Sequence, residues 1–356
     1  MQYLNKRLQL KKESSSVNKP AFLRISIALV LVFTFTFVAH EFRAGRAGSA
    51  DFPDRQISST ENLIEIAVAE GSSGSEIAQQ LFTAGVIESS QSFFKLAIAD
   101  PRASRIAPGV HLLNSKISSE QALNQLLDAS RMPNLVKVFE GSWNTEVFAM
   151  LEDVGFERNE ILKAATEVSL PRGFRLLEGL LFPAQYSFTQ KISAQEALQS
   201  MITNFETKTK TLNLSSDLKF TPQQLVTMAS IVQAEGHTDD FDKVARVIRN
   251  RLKIGMPLQM DSTVNYIKKM RGSIFVSKKS TSIKSDYNTY RKYGLPPGPI
   301  GNPGLDALRA AIKPATGDWL YFITVSPGDT RFTAEISEFN QWKVLYTKNR
   351  KAGAFK

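Results

Sequence analysis

The chain contains no cysteine. Disulfide frameworks, thiolate metal sites and cysteine nucleophiles are therefore excluded. Histidine is nearly as scarce: only His40, His111 and His237 occur, far apart in the chain. A histidine-built metal site or a Ser-His-Asp triad has little to draw on. Acidic residues are outnumbered, with Asp+Glu 34 against Lys+Arg 44, a net charge of +10. That excess points to an anionic neighbour such as lipid headgroups, nucleic acid or an acidic polymer. With 42% hydrophobic and 22% charged residues over 356 positions, the chain is one that folds, with room for two medium domains and extensions.

The position of the positive charge selects among those neighbours. Residues 1–24 carry Lys6, Arg7, Lys11, Lys12, Lys19 and Arg24 against Glu13 alone, six minus one, or +5. An apolar run without a polar face follows from Ile25 to Ala39, extended by Ala21, Phe22 and Leu23 before it and Phe42 after it. With Arg24 reaching toward headgroups, the run suits a single membrane anchor over 25–42. The basic tail then lies in the cytoplasm and everything after about residue 43 outside, in a single-pass plasma-membrane arrangement. A cleaved signal peptide competes, with Gly48 and Ala50 near a cleavage site, but Arg43 and Arg46 separate them from the apolar run. Because the basic excess is juxtamembrane, it fits anionic lipid, and nucleic acid is not expected as a partner.

Residues 43–60 are small and polar and read as a linker. Asn62–Ala69 alternates as a strand, and Ser73 with Glu76 has the spacing of a capping box before a helix that Gly85 closes. A helix near 91–99, a strand near 110–113 and a helix at 120–128 complete a small α+β region, 61–137. An internal echo marks its border: EGSSGSEIAQQLFTAGV at 70–86 aligns without gaps on EGSWNTEVFAMLEDVGF at 140–156. Glu70/Glu140, Gly71/Gly141, Ser72/Ser142, Glu76/Glu146, Leu81/Leu151 and Gly85/Gly155 are identical at a constant offset. Both copies read as strand, glycine turn, helix and glycine stop, punctuation that any strand–turn–helix also uses. From 138 to 347 the pattern is mixed α/β: helices at 159–168, 194–205, 222–235 and 239–253, a long loop region at 257–304, and a terminal hairpin from Trp319–Val325 and Arg331–Glu335. A basic tail, 348–356, ends the chain.

The helix TPQQLVTMASIVQAEG, 221–236, has Thr221 as N-cap, Pro222 at its first position and Gln224 completing a capping box. Leu225, Met228, Ala229 and Val232 mark its buried stripe, and Glu235 falls at the stripe's edge in the last turn. Partial burial and the helix dipole both raise the pKa of such a glutamate, as a general acid near neutral pH requires. Two readings of Glu235 stand on the residues alone: a general acid, or the partner of a nearby cation such as Arg246 or Arg249. In the next helix, Phe241, Val244, Ile248 and Leu252 face inward, and the cations opposite read as a solvated face. The stretches LEGLLFPAQY (177–186), LQMDSTVNYI (258–267) and SDYNTYRKYGLPPGPIGNPG (285–304) mix aromatics with Asp261, Ser262, Thr263, Asn288, Thr289 and Tyr290. Such a mixture suits a sugar-binding groove, where rings stack and hydroxyls pair; tight-turn architecture explains it equally well.

Taken together, these stretches resemble the MltG/YceG-like endolytic murein transglycosylases. The motifs run in family order over about 61–347: EGL-x-FP-xx-Y (178–186), LVTMASIVQAE (225–235), V-x-x-V-I-x-NRL-x-x-GMPLQMDSTVNY (244–266), YNTY (287–290), GLPPGPIGNPG (294–304) and YFITV (321–325). The resemblance implies a single N-terminal transmembrane helix, a LysM-like α+β subdomain and a mixed α/β catalytic domain. It implies Glu235 as the catalytic acid/base, acting on nascent peptidoglycan strands without metal or cofactor and leaving 1,6-anhydro-N-acetylmuramic ends. Asn288 and Tyr290 are then candidates for positioning the sugar, with Glu178, Tyr186, Asp261 and Thr263 lining the groove. Termination of glycan polymerisation beside peptidoglycan synthases is the expected role. This chain departs from the family strings at Gln233, where Glu-x-Glu is commoner, and in PAQY for a PDTY-like string and DSTV for DPTV. A non-catalytic peptidoglycan-binding scaffold is the alternative that these departures leave open.

Overall fold

The computed structural model describes residues 49–56, 62–189, 192–215, 219–271 and 278–355. The basic tail and the apolar run expected as a membrane anchor lie outside the described residues. Among the described residues no helix is long and apolar enough to cross a membrane.

The chain forms two compact units that interleave along the sequence. The smaller takes Gly74–Ser104, Asn114–Leu123 and the described residues before Leu63; the larger takes Leu63–Ser73, Arg105–Leu113 and Asn124–Lys356. Helices α1 (Gly74–Thr83) and α2 (Ser90–Ala99) pack on each other in the smaller unit, burying Ile77, Ala78, Leu81 and Phe93. Strands β1 (Leu63–Val68) and β2 (Gly109–Asn114) pair with each other, and α3 follows at Ser119–Leu126.

The internal echo is a repeat of structure. Helix α4 (Asn144–Asp153) begins and ends seventy positions after α1. Gly71 and Gly141 both take φ +78°, and Gly85 and Gly155 both turn at positive φ. The closing bonds repeat as well: Val86 N–H donates to Leu81 and Phe156 N–H to Leu151, at 2.9 and 3.1 Å. One half of the cap differs. Trp143 stands where the first copy has Ser73, and only the Glu146 half of the box remains, its Oε2 accepting from the Trp143 N–H at 2.7 Å.

In the larger unit, β3 (Val136–Lys137) pairs antiparallel with β4 (Gln185–Tyr186), and α5 (Arg158–Glu167) packs on α6 (Ala194–Thr209). At the centre lies α7 (Pro222–Glu235), capped as its sequence predicts: Thr221 Oγ1 accepts from Gln224 N–H and Gln224 Oε1 from Thr221 N–H, at 3.3 and 2.9 Å. Its apolar stripe is wider than expected, because every residue from Leu225 to Val232 is buried. A helix covered on all sides is a core element. Its buried hydroxyls are satisfied locally: Thr227 Oγ1 donates to Gln223 O and Ser230 Oγ to Thr227 O, both at 2.8 Å. Around it pack α8 (Phe241–Lys253), α9 (Asp261–Lys268) and α10 (Leu305–Ile312).

Two differences from the sequence reading follow. The region 257–304 is not all loop, since α9 and a single turn at Lys278–Thr281 lie within it. Beyond the hairpin of β5 (Tyr321–Ser326) and β6 (Asp329–Thr333) runs an unforeseen helix, α11 (Ile336–Lys351), with no fully buried residue. The rest of the region is held by its prolines and glycines. Gly179, at φ +91°, lets Pro299 approach so closely that a Cβ there would stand 2.8 Å from both Pro299 and Val226. Ile300 N–H then donates to Ser230 Oγ at 3.0 Å, tying the GLPPGPIGNPG segment to α7.

Candidate active site

Glu235 closes α7, and Gly236 ends the helix in an extended conformation. The neighbouring chain is the start of α9, where Ser262 N–H donates to Glu235 Oε1 at 2.9 Å. The last turn of one helix thus meets the first turn of another, whose free N–H groups favour a negative charge. Burial of the Glu235 carboxyl is the largest influence and raises its pKa above the usual carboxylate value; Asp261 raises it further, while Ser262 and Arg251 pull it down. The net displacement is upward, as the sequence reading expected, but it comes from burial and a like charge.

The competing ion-pair reading of Glu235 does not survive. Arg246 Nε donates to the Ala315 carbonyl, and Arg249 Nη2 to the Ala311 carbonyl at 2.7 Å, its guanidinium lying 4.9 Å over the Phe220 ring. Nor is the cationic side of α8 a solvated face throughout. Arg251 is only 6% exposed. It donates to the carbonyls of Leu320 (2.6 Å) and Leu258, lies under the Tyr321 ring, and faces Glu235 electrostatically.

A cleft of about 370 Å³ opens at Ser262, the residue whose N–H holds this carboxyl, and is lined also by Glu140, Gly141, Trp143, Gln233 and Asn265, with Glu235 itself behind its surface. Its wall is built by an exchange of backbone bonds. Gly141 N–H donates to Asn302 O at 2.7 Å and Asn302 N–H to Ser142 O at 2.8 Å. The Asn302 side chain, fully buried, donates to Ser142 O (2.8 Å) and Asn144 Oδ1 (3.0 Å) and accepts from Leu181 N–H (2.9 Å). Gln233 Oε1 accepts from Gly304 N–H at 3.0 Å, a contact that fixes which end of the amide is oxygen and leaves its NH2 for the cleft.

Glu178 lies behind this wall. Its Oε1 accepts from Asn144 N–H and its Oε2 from Tyr266 Oη, each at 3.0 Å. Burial pushes its pKa up to about 7, against those two bonds, with Glu146 adding to the rise and Arg271 opposing it. Tyr266 packs edge-on to Trp143 at 5.8 Å, and the Arg271 guanidinium lies over the Trp143 ring at 3.9 Å. Burial raises Glu146 as well, yet Arg271 and the Trp143 N–H hold it below the usual carboxylate value.

The other residues singled out in the sequence divide in two. Tyr290 Oη donates to Asp261 Oδ1, and both stay partly open beside Glu235. Asn288, Thr263 and Tyr186 turn inward. Asn288 is fully buried and gives its amide hydrogens to the carbonyls of Thr281 (3.0 Å) and Ile283 (2.7 Å). Thr263, also fully buried, donates to Met260 O at 2.7 Å and meets Thr289 Oγ1 at 2.9 Å. Tyr186, 8% exposed, donates to Phe182 O at 2.6 Å. Arg251, Arg271, Trp143 and Asn302 were not singled out. Trp143 lies inside the echo, and Arg251 and Asn302 inside quoted motifs, so for these three the signal was present.

Comparison with known proteins gives this geometry a context. The YceG-like family profile matches residues 66–344. The chain belongs to the YceG-like family. It is 30% identical over 319 residues to a protein of Bacillus subtilis (strain 168) named endolytic murein transglycosylase, spanning 82% of this chain and 88% of that one. A protein of the same name from Streptococcus pneumoniae (strain R6) is 29% identical over 331 residues, covering 82% of this chain and 57% of its own length. A crystal structure of a YceG-like protein from Listeria monocytogenes matches with TM-score 0.53 and 25% identity, covering 79% of this chain and 98% of that one. The α+β architecture described above is thus shared with a YceG-like protein.

Proposed function

We propose that this YceG-like protein is an endolytic peptidoglycan transglycosylase with Glu235 as its single acid/base. The observation that carries the reading is the carboxyl itself: raised by burial and held by the N–H of Ser262, a residue that lines a polar cleft. Glycosidases that use water place two carboxylates across the bond. Intramolecular attack needs one group that acts twice. Protonated Glu235 donates to the oxygen linking N-acetylmuramic acid to N-acetylglucosamine, and the C1–O bond breaks. The 6-hydroxyl oxygen of the same muramic residue bonds to C1, and its proton returns to Glu235. A 1,6-anhydro end forms, no water is consumed and the enzyme is restored.

Asp261 contributes the like charge that keeps the proton on Glu235, and Tyr290 orients Asp261. Gln233 presents amide hydrogens to the strand. Asn288, Thr263 and Tyr186 act by holding the loops from which these groups project, and Glu178 by holding the Trp143–Tyr266 side of the groove. The basic tail and apolar run would anchor the protein as a single pass in the plasma membrane, with the 61–137 region as a LysM-like module outside it. Cutting nascent strands close to the membrane, beside the synthases, would set glycan length.

Mass spectrometry of uncrosslinked glycan strands tests this with wild type and Glu235→Gln, which keeps the acceptor for Ser262 N–H. Anhydro ends formed by wild type alone are expected. Strands bound by both proteins and cut by neither would establish the scaffold instead.

A further inference from the structure

One group at the site has no task in that scheme. Ser262 Oγ lines the cleft wall, is buried, and has no hydrogen-bond partner among the described residues. It belongs to the residue whose N–H is bonded to Glu235 Oε1 at 2.9 Å, so both of that residue's donors stand at the carboxyl. The two donors differ in kind. A backbone N–H only donates, so it favours the carboxylate at every stage; a hydroxyl rotates and donates or accepts. A glutamate that must be an acid in one step and a base in the next is matched by both together.

We propose that Ser262 is a positioning residue for Glu235, its N–H fixing Oε1 and its hydroxyl turning to accept from the acid form and donate to the carboxylate form. This rests on the transglycosylase reading above. The charged or titratable groups facing Glu235 are Asp261, Arg251 and Tyr290, and all three side chains are kept in the Ser262 variants.

Three variants of the full-length protein separate the parts. Ser262→Pro removes both donors at the second position of α9, within the first turn, where proline is tolerated. Ser262→Ala removes the hydroxyl alone, and Ser262→Thr keeps both donors. Loss of the protonated acid should limit kcat at high pH. In Ser262→Pro that alkaline limb is expected to move up by about one pH unit, the weight of one hydrogen bond to a charged group. Ser262→Ala should lower kcat about tenfold and move the limb less, and Ser262→Thr should restore the rate. The Glu235 carboxyl's titration, followed by carbon NMR with Glu235→Gln to assign it, should move in the same direction without any turnover. A Ser262→Pro protein with wild-type kcat, limb and titration overturns the proposal. Wild type that titrates as described but cuts no strand overturns the transglycosylase reading and, with it, the catalytic role of Ser262.

Discussion

Glu178→Gln is expected to stabilise the protein, and increasingly so as pH rises. In the wild type this carboxyl is buried and titrates at about 7, whereas in the unfolded chain it titrates near 4.5. Its folded pKa lies above its unfolded one, so its contribution is fully present below pH 4.5 and is lost as pH rises toward and through 7. Integrated from pH 5 to pH 8, two protonation equilibria 2.5 units apart remove about 2.5 kcal/mol of stability, and about 2 kcal/mol once residual exposure is allowed for. Glutamine stays neutral and fits the same contacts, its Oε1 accepting from Asn144 N–H and its NH2 donating to Tyr266 Oη. The three tryptophans, Trp143, Trp319 and Trp342, all lie in the larger unit, so urea unfolding followed by tryptophan fluorescence reports on the unit that holds Glu178. The quantity to compare is the difference in unfolding free energy between variant and wild type at pH 5 and pH 8. It should grow by about 2 kcal/mol in the variant's favour. A difference that stays constant within about 0.5 kcal/mol over that range, a quarter of the expected change, would refute the picture of a desolvated, titrating Glu178.

Asn302→Ala leaves Leu181 N–H and Asn144 Oδ1 without their buried partner and removes one of the two donors to Ser142 O, and should cost about 3 kcal/mol and several degrees of Tm by calorimetry. Arg271→Ala uncovers one side of Trp143 and breaks the pair with Glu146, so the tryptophan emission maximum should move to longer wavelength. His111 is buried and held below its usual pKa by desolvation, with Nδ1 unpartnered among the described residues. Its contribution is present above about pH 6.5 and lost as pH falls through the folded value, so His111→Phe should flatten the acid side of the Tm–pH curve.

Elements with side-chain signals were legible in the sequence. The capping box of Thr221 and Gln224, with Pro222 at the first position, set the start of α7 to the residue, and the repeated glycines set the limits of α1 and α4. Helix α9 was missed because its N-cap, Met260, has no side-chain acceptor and its first turn is held from outside. Helix α11 likewise lacks a side-chain cap, at Glu335, and buries no residue fully. At the site, Glu235 was visible from its place on the helix. Its partner was not, because the contact comes from the main chain of Ser262, and no side-chain pattern reports the direction of an N–H. The inward turn of Asn288 and Thr263 was hidden for a related reason: short polar side chains look the same in sequence whether they meet a ligand or their own loop.

The peptide-to-peptide construction of the cleft wall bears on how its importance would register in mutational work. Deleting a side chain at Ser142 or Pro303 leaves the amide bonds between 141–142 and 302 in place, so a scan that trims residues to alanine will pass over much of the wall as if it were inert. The glycines answer differently, because there alanine adds an atom: 2.6 Å from the Gly141 carbonyl oxygen at Gly301, and 2.7 Å from Glu140 Cγ at Gly304. In this part of the molecule the informative substitution is the one that enlarges, and the shape of the groove can persist through wide drift in the side chains around it.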